Sequence, residues 1–224
     1  MTRKEDFQMN FFIKYWYRFS TVIFILMVIW MIVFRPQFDK TQLLLIFNLM
    51  ALFEHQFEEY QFPGGAPMII NRVVYDEKQL PDRYPGNSLS ICLVNTSAWV
   101  IYLISIIFSN VYWLGLGVIL FSLFQILGHA LEMNIKLHTW YNPGLATTLL
   151  LFLPLGWYFI SYLTRNGLIN GYDWLFAVLM LLACIVITIV LPVQSLKNRQ
   201  TKYPIDEWQV RRYKQVINFA QIGK

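Results

Sequence analysis

The sequence predicts an all-α polytopic membrane protein with about six transmembrane helices, both termini in the cytoplasm and a short interfacial helix at each end. Three observations carry this prediction. Hydrophobic residues make up 57% of the 224-residue chain and charged residues 14%, a balance unlike that of soluble domains. Apolar runs long enough to cross roughly 30 Å of hydrocarbon recur along the chain. Of its 18 Lys and Arg residues, an alternating topology leaves only Arg35, Lys40 and Arg165 on one side, the asymmetry that marks the other side as cytoplasmic. The net charge of +5 therefore follows topology, and no nucleic-acid partner is expected.

The chain reads as a single membrane domain over residues 1–224. Residues 1–18 mix aromatic and basic side chains (Phe11, Phe12, Lys14, Tyr15, Trp16, Tyr17) and suit a leader helix at headgroup level. The first span follows near 19–34. It lacks a small-residue cleavage site and is expected to be an anchor. The second lies near 43–59, the third near 89–108, the fourth near 111–132, the fifth near 144–163 and the sixth near 174–193. Between the second and third spans, residues 62–88 carry Pro63-Gly64-Gly65, Pro67, Pro81 and Pro85-Gly86. These break helices, and a loop of this length suits a lid or re-entrant segment on the cytoplasmic side. Residues 197–224 place Val210, Tyr213, Val216, Ile217 and Ala220 at helical spacing, which predicts an amphipathic C-terminal helix held partly by anionic lipid.

The second span ends in Glu54-His55-Gln56-Phe57-Glu58-Glu59. One ionised carboxylate at mid-bilayer costs roughly 2.5–3.5 kcal/mol on insertion scales, and adjacent carboxylates repel each other besides. A compensating cation, proton or basic group is expected. On a helix His55 shares a face with Glu58 and Glu59, with Asn48 two turns back, and Glu54 points away. The fourth span ends in a second His-x-x-Glu, His129 to Glu132, with Asn134 and His138 beyond it. His-x-x-Glu is a spacing that helical metal sites use. Both spans run towards the cytoplasm, and at about 1.5 Å per residue their histidines reach the same leaflet. Asn95, Thr147 and Thr148 fall in that layer too. Cys92 and Cys184 lie within spans as small packing residues, so any metal here takes nitrogen and oxygen ligands. Gly115 and Gly117 read as close-packing sites.

The run His55-Gln56-Phe57-Glu58-Glu59-Tyr60, followed by Phe62-Pro63-Gly64, resembles the defining motif of the HXXEE family of bacterial membrane proteins. Gly128-His129, Asn134 and Tyr141-Asn142-Pro143-Gly144-Leu145-Ala146-Thr147 resemble its second block. The resemblance covers His55 to Pro154 and implies a bacterial cytoplasmic-membrane location and a polar intramembrane site, but no reaction. The intramembrane CaaX-protease pattern Glu-Glu-x-x-x-Arg is not met, because Pro63 stands where the arginine belongs.

These residues point to a metal-dependent enzyme. His55, Glu59 and His129 are the expected ligands of a divalent metal, zinc first, with Glu132 as a fourth. Glu58 is the expected general base on a water that the metal activates. Asn95, Asn134 or Arg72 are candidates to stabilise developing negative charge. The expected substrate is a lipid or a membrane-associated peptide, hydrolysed at the cytoplasmic leaflet. Two other classes remain open: a metal-free Glu/His acid-base enzyme of the lipid-isomerase kind, and a small transporter or ion-binding protein.

Overall fold

A computed structural model describes residues 3–34 and 37–223. Arg35 and Lys224, which enter the charge asymmetry, lie outside the described residues, as do the side chains of Arg3 and Lys4. The fold is helical throughout. In chain order the elements are α1 (Arg3–Phe34), α2 (Lys40–Tyr60), the short α3 (Ala66–Ile69, continued by Ile70–Val74), α4 (Ser88–Ile107), α5 (Tyr112–Leu137), α6 (Leu145–Arg165), α7 (Gly171–Leu196) and α8 (Glu207–Ala220). Five of these (α1, α4, α5, α6 and α7) are long and apolar enough to cross a membrane. The sixth long helix is α2. It has the length, but Lys40, Glu54, Glu58 and Glu59 lower its hydropathy.

Where the sequence suggests a leader helix followed by a span, the two are one continuous helix, α1. Residues 3–34 contain neither proline nor glycine, so nothing interrupts the hydrogen-bond ladder. α2 starts at an N-cap, with the Asp39 carboxylate accepting from Gln42 N at 2.8 Å. It passes between α1, α4, α5 and α6 and buries most of its inner half. α5 packs along α7, and the approach is close enough that a Cβ on Gly117 would sit 2.6 Å from Met180 Cβ. Small residues allow such contacts between membrane helices.

Both ends of the chain meet where α2 terminates. Lys14 Nζ on α1 pairs with Asp206 at 2.8 Å. The Gln209 side chain of α8 accepts from Gly65 N at 2.7 Å and donates to Tyr60 O at 2.8 Å, and Arg212 Nε donates to Pro63 O. Gly65, at φ +99°, lies so close to α8 that a Cβ would meet Tyr213 N at 2.6 Å. The amphipathic C-terminal helix is thus seated on the turn that follows the carboxylate run.

The 62–88 segment is ordered around Asn71. Its amide donates to Pro81 O and Gly86 O, and its oxygen accepts from Gly86 N, at 2.8–2.9 Å. α3 within it is fully packed at Ala66 and Ile69.

Four stretches are π-helical: Ile70–Val74 in α3, Leu127–Met133 in α5, Thr148–Phe152 in α6 and Ile185–Val190 in α7. Such stretches are uncommon and gather at functional sites. Each brings at least one side chain to His55 or to the cavity beside it: Ile70, His129, Phe152 and Thr188.

Candidate metal centre

His55, Glu59 and His129 are almost fully buried, at 2%, 6% and 1% exposure. Each offers one ligand atom, and these atoms all lie within 4.8 Å of one another. The Glu59 carboxylate sits between the rings, Oε2 at 3.8 Å from His55 Nε2 and Oε1 at 3.5 Å from His129 Nε2. The imidazoles meet edge to face, with centroids 5.0 Å apart, and Phe152 flanks His55 at 5.1 Å.

The hydrogen bonds fix which ring nitrogen faces inward. Asn142 Nδ2 donates to two oxygens, His129 O and Asn134 Oδ1, each at 2.7 Å. Its own Oδ1 is therefore the acceptor 2.7 Å from His129 Nδ1, and the proton resides on Nδ1. On the other side, Thr147 Oγ1 donates to Glu58 Oε2 at 2.6 Å. Its single proton is used there, so at 2.9 Å it accepts from His55 Nδ1. In each ring taken as neutral the lone pair is therefore on Nε2, the nitrogen that faces Glu59. Metal-binding histidines are held by outer partners in this manner.

Glu58 and Glu59 part company because adjacent helical residues point about 100° apart. Glu58 faces α6, where Oε1 accepts from Tyr141 OH (2.7 Å) and Ala146 N (3.1 Å). Oε2 accepts from Thr147 N (2.8 Å) and Thr147 Oγ1. Those four bonds occupy all the acceptor positions of a carboxylate. Glu58 thus anchors the start of α6 and, through Thr147, orients His55. Burial and the neighbouring Glu58 carboxylate push the Tyr141 hydroxyl well above the usual phenol range, which keeps it a donor.

Glu132 does not join the cluster. It pairs with Lys136 at 2.7 Å on the surface. The π-helical turn over Leu127–Met133 closes i→i+5 rings, so residues three apart no longer share a face. Asn134 lies behind the site, bonded to Asn142 and Thr139. Asn95 sits beside the cluster's cavity, its amide donating to Tyr60 OH at 3.1 Å and Ile91 O at 2.9 Å. Arg72 is exposed and stacks over Tyr213. His138 is an exposed left-handed cap at φ 52°. Asn48 faces mid-bundle and accepts from Ser122 Oγ at 3.0 Å. Glu54 stays apart, on an apolar groove with Phe24 and Phe47.

Two further residues complete the site: Thr147, which the sequence places in this layer without a role, and Asn142. Asn142 and Thr147 fall inside the Tyr141–Thr147 run, whose polar side chains amid apolar sequence were the available signal. Gly144, at φ +103°, brings the backbone so near His129 that a Cβ would lie 2.3 Å from Cε1.

Fold and site define a helical membrane protein with a buried two-histidine, one-carboxylate cluster. A family model described as "Protein of unknown function with HXXEE motif" matches residues 46–159. That is just over half of the chain, and the protein belongs to this family. The matched region takes in every residue of the cluster and its outer partners. No curated protein and no solved structure matches.

Proposed function

We propose that this protein is a membrane-embedded, metal-dependent hydrolase that acts on a lipid or membrane-associated peptide from the cytoplasmic leaflet. One observation carries the reading: two imidazole Nε2 lone pairs, each fixed by a hydrogen bond at Nδ1, face a common buried carboxylate. Two nitrogens and one oxygen suit zinc with a position left open for water or substrate. When bound, the ion would act as a Lewis acid and lower the pKa of a water to about 7.

Glu58, with its acceptor positions filled, serves as a positioning residue rather than the base. Within the cluster the carboxylate oxygen of Glu59 that would not hold the ion is the acceptor assigned to the proton. Hydrolysis then adds hydroxyl to the acyl carbon and a proton to the leaving group. The charge asymmetry of the sequence supports the cytoplasmic orientation.

The test is metal content and acyl release by detergent-purified protein. We expect a stoichiometric divalent metal, loss of release in chelator and recovery with zinc. Absence of metal, with folding unchanged by chelation, would remove this reading. A second reading follows from the same carboxylate: without metal, Glu59 between two imidazoles can share protons as an acid-base pair. Full activity in strong chelator would favour it. Ion flux into proteoliposomes that stops in Glu59→Gln would favour transport instead.

A further inference from the structure

Beside the cluster lies a cavity that offers about 120 Å³ to the centre of a water molecule. A single water needs only about 10–15 Å³ on this measure, so the space suits a larger guest. His55 and Glu59 form part of its wall, together with Tyr60, Asn95 and apolar side chains including Leu52, Ala98, Phe121 and Ile189.

A buried chain of hydrogen bonds ends at this wall, and its direction is fixed. Trp99 Nε1–H can only donate, so its partner at 2.9 Å is the oxygen of Gln56. The Gln56 amide nitrogen then donates to Asn95 Oδ1 at 3.2 Å. The Asn95 amide nitrogen in turn donates to Tyr60 OH at 3.1 Å. Tyr60 is 4% exposed, Gln56 is fully buried and Asn95 is 8% exposed. The Tyr60 hydroxyl accepts from this chain, and its own proton has no acceptor among the described residues. A buried donor left without a partner costs free energy, and here it borders a cavity that also touches Glu59. Aligned donors strengthen the last donor in the row.

We infer that the Tyr60 hydroxyl binds the carbonyl oxygen of a single-chain acyl lipid whose hydrocarbon tail occupies the cavity. This role passes to Tyr60 from Asn95, whose amide protons are already used on Tyr60 and Ile91. A lipid fits better than a peptide. A peptide carries an N–H and a C=O at every residue, and each must find a partner away from water. The cavity wall offers few. With the Asn71 amide committed to Pro81 and Gly86 and the Thr188 hydroxyl to Cys184 O, the donors left away from the cluster are the Tyr60 and Tyr75 hydroxyls and the Gln125 amide. One carbonyl on an alkyl tail matches that supply. The inference narrows the hydrolase reading to acyl lipids and rests on it for the chemistry, but the binding geometry stands without the metal.

The experiment is photolabelling of the full chain in nanodiscs with two diazirine-bearing probes of equal length, a long-chain alkyl amide and the corresponding alkane. We expect the amide probe to label residues around Ala98 and Phe121, saturably, with an excess of unlabelled single-chain amide displacing it. Tyr60→Phe should weaken the amide probe about 3- to 10-fold and leave the alkane unchanged. Ala98→Trp should exclude both. In wild type, a carbon-13 carbonyl in the amide probe should absorb at lower frequency than in protein-free bilayer, a readout that needs no variant. Labels confined to the lipid-facing surface would overturn the inference. So would equal losses of both probes in Tyr60→Phe, an unshifted carbonyl band, or displacement by an apolar peptide but not by lipid. Metal analysis of the same samples separates the two claims: protein without metal that still binds the carbonyl probe fails the hydrolase reading alone.

Discussion

On α2, His55 and Glu59 stand one turn apart and both face the cluster. The His-x-x-Glu partner on α2 is Glu58, which stays beside His55 through Thr147. On α5 the same spacing sends His129 into the cluster and Glu132 to the surface, against Lys136. The two segments differ in pitch. α2 is regular α-helix from Lys40 to Tyr60, while α5 turns π-helical over Leu127–Met133. Spacing in sequence becomes shared direction only through the local pitch. The outer partners differ as well. His55 is held by a threonine from α6 that is itself held by Glu58, whereas His129 is held by Asn142 from the loop just beyond its own helix. One histidine is fixed by long-range packing and the other by a local turn.

Four substitutions sharpen this contrast. His129→Ala removes one of the three proposed ligands, and Glu132, facing Lys136 at the surface, is not placed to replace it. Metal affinity measured by competition with a chelating dye should fall by more than the ~100-fold that marks the loss of an outer partner. Gly144→Ala should come next. The added Cβ would press on the His129 ring at 2.3 Å in a backbone region that disfavours side chains, at a cost of at least ~2 kcal/mol. Thermal unfolding in detergent reads this. Thr147→Val keeps the shape of the side chain and removes its hydroxyl, so His55 loses its acceptor and Glu58 one donor. Metal affinity should drop ~10- to 100-fold with little change in helix content by circular dichroism. Glu132→Gln should do least. An exposed ion pair contributes about 0–1 kcal/mol, and metal affinity should stay within roughly 2-fold of wild type. A large loss in Glu132→Gln would reverse the comparison between the two helices.

Much of this was legible in the sequence because membrane burial is so restrictive. The apolar runs located α4, α5, α6 and α7 to within about five residues and the C-terminal half of α1, and the uncommon cost of carboxylates in hydrocarbon picked out α2. The convergence of His55, Glu59 and His129 followed from helix rise and direction alone. Glu132 was misplaced because a π-helical turn leaves no mark in hydrophobic periodicity. Sequence shows the Glu58 carboxylate but not the four donors around it, which come from α6 and the loop before it. Gln56 and Tyr60 were legible only as members of the motif run and Trp99 only as part of an apolar span: polar and aromatic residues near a helix end look alike until packing pairs them.

The most direct test of the central claim is X-ray absorption at the metal edge, on protein purified without chelator. The account predicts two imidazole nitrogens and one carboxylate oxygen at about 2.0–2.2 Å, a shell that loses a nitrogen in His129→Ala and is unaltered in Glu132→Gln. A shell without imidazole, or one indifferent to His129→Ala, would contradict it.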